Sequence, residues 1–155
     1  MAYAKNDDLV LFPVNTITAG SLKDAAATSL GKFAFPKDWA TCLIIKMGFT
    51  AAAAGGAQTT AGTMKLQIAG ADVENASAVD FTAASVVSHA AWAQVETDLN
   101  SVTSSLSLTS NNYNAVPNYP EADTGELIEL LVATQGVGAG DQTIFPYLVV
   151  RRKES

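Results

Sequence analysis

Apolar residues recur at every second position in "CLIIKMGF", so Leu43, Ile45, Met47 and Phe49 fall on one face and Ile44, Lys46 and Gly48 on the other. This is the signature of a half-buried strand. The period returns after a stretch of small residues: Met64, Leu66 and Ile68 share one side, Thr63, Lys65 and Gln67 the other. The two strands are expected to pair antiparallel. "SSLSLTS" predicts a shorter strand with Leu106 and Leu108 inward, and "DLVLFPV" another that Pro13 holds at a sheet edge.

Two later segments are apolar on both faces. In "ELIELLVAT", Ile128, Leu130 and Val132 oppose Leu127 and Leu131; in "TIFPYLVVR", Phe145, Tyr147 and Val149 oppose Ile144, Leu148 and Val150. A two-layer sandwich covers only one face of each strand, so the second set needs a loop or another chain over it. The reading favours another chain, which makes Leu127, Leu131, Phe145, Tyr147 and Val149 the candidate subunit interface. Between these strands, "QGVGAGDQ" reads as a hairpin connection. "DFTAASVVSHAAWAQV" alone admits a helix, capped by Thr82, with strand as the alternative from Ala90 onward. The Pro, Asn and Gly of "SNNYNAVPNYPEADTG" argue against regular structure. Seven or eight short strands predict an all-β fold, an antiparallel β-sandwich of jelly-roll-like topology with long small-residue loops. Residues 32–155 form the sandwich domain, and residues 1–31 an N-terminal arm or edge element able to add itself to a partner's sheet.

The size, 155 residues with 48% hydrophobic, suits one such domain. Charge sharpens the picture. The net charge is −6, and residues 66–150 hold ten carboxylates and no Lys or Arg. A protein that tracks a phosphate backbone needs clustered cations, so nucleic acid is not an expected partner. No run reaches the length of a membrane span and the N-terminus lacks a secretory pattern, so neither a membrane partner nor secretion is expected.

Chemistry is sparse. The lone Cys42 lies in an apolar run and reads as a small buried hydrophobe. The only histidine, His89, has beside it neither a nucleophile in an activating context nor a ligand set, so neither a triad nor a zinc site is expected. The chain is therefore expected to be non-enzymatic and to hold no cofactor or metal. Tyr113 and Tyr119, among asparagines, offer a surface that would stack on a sugar; this is the basis of an alternative function as a carbohydrate- or receptor-binding β-sandwich module. A small hydrolase ranks third.

The stretch "KFAFPKDWATCLIIKMGFTA" combines a Phe33-x-Phe35-Pro36 lead-in, an acidic-aromatic turn and an alternating strand that ends in an aromatic and a small-residue loop. It resembles the β-sandwich proteins of tailed-bacteriophage virions, of the head-decoration and head-fibre type. "AGTMKLQIAGADV", "PEADTGELIELLVATQG" and "TIFPYLVVRRK" follow in the same order, so the likeness spans about residues 32–153. It departs at Leu66, in place of a tryptophan, and in lacking an arginine late in "ELLVATQG". The resemblance implies a virion structural protein on the capsid exterior, made in the host cytoplasm. It also implies a trimer that binds the major capsid protein and neighbouring copies. The cations Lys5, Arg151, Arg152 and Lys153 would then meet an acidic shell. The bare loop "TAAAAGGAQTTAG" suits close approach to a neighbouring subunit, or is simply a connection.

Overall fold

The computed structural model describes residues 8–15, 20–21, 23–52, 58–60, 62–73, 92, 94–99, 119–138 and 143–153. Every regular element among them is a strand: β1 (Leu9–Leu11), β2 (Gly20–Ser21), β3 (Ser29–Phe33), β4 (Thr41–Ala51), β5 (Gln58–Thr60), β6 (Thr63–Ile68), β7 (Ala71–Asp72), β8 (Gln94–Asp98), β9 (Glu121–Asp123), β10 (Ile128–Thr134), β11 (Val137–Gly138) and β12 (Thr143–Arg152). All pairings are antiparallel. One sheet runs β1-β12-β4-β8, with β2 also on β12 and β9 also on β4; the other runs β3-β10-β6-β7. The expected all-β sandwich is what the chain forms, with more strands among the described residues than the pattern predicts, several of them only two or three residues long.

The core lies between the two sheets. Met47, Phe49, Ile144, Leu148 and Val150 from the first meet Leu30, Phe33, Met64, Leu66, Ile128, Leu130 and Val132 from the second. The doubly apolar strands therefore turn the expected sets inward: Ile128, Leu130 and Val132 on β10, and Ile144, Leu148 and Val150 on β12.

On β4 the simple alternation fails. Lys46 pairs with Val149 and Ile44 with the next residue, Val150, which leaves Ile45 as an extra residue in a β-bulge. The parity flips there. Cys42 and Ile44 point to the core on one side of the bulge, Met47 and Phe49 on the other, and Leu43 moves to the outer face, half-buried. The Ile45 carbonyl is occupied by the Leu99 N–H at 2.9 Å.

Strands β4 and β6 do not pair, contrary to expectation. Each joins a different sheet, and their apolar faces meet across the core. Likewise "QGVGAGDQ" is not a hairpin: it carries the chain from β10 in one sheet to β12 in the other. These two crossings pair with each other, Val137 with Thr60 and Gly138 with Gln58, as a two-stranded ribbon of β5 and β11. Small side chains suit a loop that becomes a strand in passing. "EAD" also gains regular structure, because β4 outreaches β8 and leaves an edge for β9.

The N-terminal segment is built into the sandwich. β1 covers β12 at Leu148–Val150 and β2 covers it at Thr143–Ile144, and Pro146, which has no N–H to donate, falls between them. In between, the segment crosses to the other sheet, where the Val14 N–H donates to the Lys32 carbonyl at 2.8 Å and Asn15 Oδ1 accepts from the Lys32 N–H at 3.1 Å. Pro13 lies on Gly31, so close that a Cβ there would stand 2.6 Å from the proline ring. β3 itself runs across the expected boundary between residues 31 and 32. The end of the segment expected to be helical, residues 80–95, follows its strand alternative: Gln94 and Val95 lie in β8 and Trp92 has a left-handed φ of 64°. The rest of that segment, the "SSLSLTS" strand, His89, Tyr113 and Lys5 lie outside the described residues.

Candidate interaction surfaces

The outer face of the larger sheet carries the second apolar set of β12. Register places Val10 beside Val149 on this face, since Leu9 and Leu11 pair with the inward Val150 and Leu148. Tyr147 is only 4% exposed, because its ring lies across Gly48: a Cβ at that glycine would meet the tyrosine Cζ at 2.8 Å. Its hydroxyl donates to Glu96 Oε2 at 2.9 Å, and Lys46 holds the other carboxylate oxygen at 3.2 Å. Burial first, and then this bond to a carboxylate, push the phenol well above its ordinary range. Phe145 is half-buried beneath Trp92, whose ring is parallel to within 3° at a centroid distance of 6.2 Å. Trp92 is 68% exposed. It takes a left-handed φ of 64°, and its N–H donates to the Ala51 carbonyl at 2.9 Å. The chain's own residues thus cover Tyr147 and part of Phe145, and leave an apolar strip of Val10, Val149, Phe145 and Trp92 facing outward.

Leu127 and Leu131 do not join this strip. Leu131 is on the smaller sheet and is buried, while Leu127, 42% exposed, stands before β10 at the rim of a separate cleft. Of the five residues expected to form one interface, Phe145, Tyr147 and Val149 lie on the larger sheet, Leu131 on the smaller one and Leu127 just before it.

The C-terminal cations are also partly committed. β1 brings Asp8 to Arg151, whose Nε donates to Oδ1 at 2.6 Å and whose second nitrogen donates to Oδ2 at 3.1 Å; this bond raises the guanidinium pKa further. β9 brings Glu121 to Lys153, at 2.7 Å. Of the expected capsid contacts within the described residues, Arg152 alone forms no ion pair there. Tyr119 is half-buried against the core, and burial raises its pKa first, then the nearby Asp98.

The cleft, about 430 Å³, lies between the end of β3 with the following "AFPK", the Val14–Asn15 crossing, and the turn from Thr124 to Leu127. Gly125 sits in that turn with φ of 89°, at the position glycine fills in a type II turn. Its walls are mostly apolar, with Lys32, Lys37 and Glu126 as the charged members. Sequence periodicity missed it because it is made by residues beyond the strand ends, although cations flanking "FAFP" are the signal that marks it. Among the described residues no group of His, Cys, Asp and Glu is arranged to hold a metal ion. No protein-family model matches the chain, and no curated protein matches it.

Proposed function

We propose that the protein is a non-enzymatic structural protein of a virion, which decorates and stabilises a phage capsid by binding the shell and neighbouring copies of itself. With this reading go the jelly-roll topology and the trimer that the sequence resemblance implies. The observation that supports it is the outward face of the larger sheet, where Trp92 at 68% exposure lies on Phe145 and, farther along β12 beyond the buried Tyr147, Val149 stands beside Val10. An exposed tryptophan within an apolar strip on a flat sheet face is the composition of a protein-binding surface. An exposed apolar side chain gains about 1.5–3 kcal/mol on full burial and the half-buried Phe145 and Val149 a part of that, enough in several copies to offset the entropy of association. The face differs from the sequence expectation in its members: Val10 and Trp92 enter it, and Leu127, Leu131 and the buried Tyr147 leave it.

Co-pelleting with shells of the phage that carries the chain tests the function. The wild-type protein is expected to pellet with the shells and to remain in the supernatant without them. Failure to pellet at micromolar concentration would contradict the shell-binding half of the proposal.

A further inference from the structure

We infer that the cleft at the end of β3 is a docking site for an extended peptide of a protein partner, one that alternates apolar and acidic residues. β3 is the edge strand of the smaller sheet. The N–H and C=O of Lys32 point outward, since both bond to the Val14–Asn15 crossing. By the two-residue period of extended chain, the N–H and C=O of Ala34 point the same way, and no described residue takes them. Just past β3, Pro36 disfavours the helical region for Phe35, which suits an extended course there. An incoming strand can therefore hydrogen-bond at Ala34, directly beside the segment already bonded at Lys32.

The side chains around that edge state what the strand must carry. Val14, 67% exposed, and Leu127 stand with Phe35 around a volume suited to an aliphatic side chain or two. The charge is complementary to an acid. Four of the eight described cations, Lys46, Lys65, Arg151 and Lys153, are held in ion pairs. Two of the remaining four, Lys32 and Lys37, line this cleft and form no ion pair with a described residue, and both are exposed. The third charged member, Glu126, is turned to its own turn, where it accepts the Asp123 N–H at 2.8 Å. The cleft would take such a segment whether or not the chain coats a capsid.

The test uses the full chain and fluorescence anisotropy, with a labelled peptide alternating valine and glutamate and a control alternating valine and lysine. The glutamate peptide is expected to bind and the lysine peptide to bind at least about tenfold more weakly. Leu127→Asp, and separately Lys32→Gln with Lys37→Gln, which spares Glu129 opposite Lys32 a like charge, are each expected to weaken binding of the glutamate peptide about tenfold or more, with the thermal midpoint unchanged. Equal binding of the two peptides, or binding that ignores these substitutions, would overturn the inference. So would saturable binding of octanoate without the peptide, which would make the cleft a site for small acids. Loss of self-association in Leu127→Asp, without peptide binding to the wild type, would assign the cleft to a second copy and would also overturn it.

Discussion

Gly48 and Tyr147 show how one small residue sets the surface. Without a side chain at Gly48 the tyrosine ring lies down on the sheet, and a Cβ there would stand 2.7 Å from the Val95 carbonyl as well as 2.8 Å from the ring. Gly48→Ala is therefore expected to cost about 1–3 kcal/mol in chemical denaturation, as overpacking does. Tyr147→Phe keeps the ring and loses only its bond to Glu96, so a loss of about 1 kcal/mol is expected. Cys42 is the other informative residue. Burial pushes its thiol up to about 12 from an ordinary 9.0. A raised folded pKa means that the unfolded chain ionises first. The stability this provides is whole below pH 9.0 and is lost progressively as pH rises from there through about 12. Tyr147 acts in the same direction above its ordinary 10.0. The denaturant midpoint should fall between about pH 8 and about pH 10, and fall less in Cys42→Ala. A thiol reagent should modify native Cys42 no faster than the protein unfolds.

At the level of elements, the alternation along β6, β10 and β12 was legible because each keeps one parity toward the core over the residues that matter. β4 was not, because its bulge at Ile45 reverses the faces midway, and nothing in "CLIIKMGF" distinguishes a bulge from a straight strand. The consequence is measurable. Ile44→Ala is expected to cost about 2–5 kcal/mol and Leu43→Ala clearly less, the reverse of what unbroken alternation requires. Equal costs would contradict the bulge. The sheet assignment of β4 and β6 was illegible for a different reason. A loop of small residues permits either a local pair or a crossing, and the choice is made by the distant crossing between β10 and β12 that pairs with it. The surfaces followed the same division. Phe145 and Val149 could be placed by parity, whereas Val10 and Trp92 join them only through register and a turn remote in sequence.

For the molecule as a whole, the acidic balance and the pairing of half the described cations argue against phosphate tracking. Duplex DNA is expected not to bind at physiological salt in a filter or anisotropy assay; submicromolar binding with a steep salt slope would contradict the charge argument. The central claim is self-association through the strip on the larger sheet, and sedimentation velocity of the full chain at micromolar concentration tests it most directly. The wild-type protein should sediment as a homo-oligomer, with the mass of three copies, and Val10→Glu combined with Trp92→Glu should sediment as a folded monomer. A wild-type protein that stays monomeric up to about 100 μM, or an oligomer that the double substitution leaves intact, would contradict it.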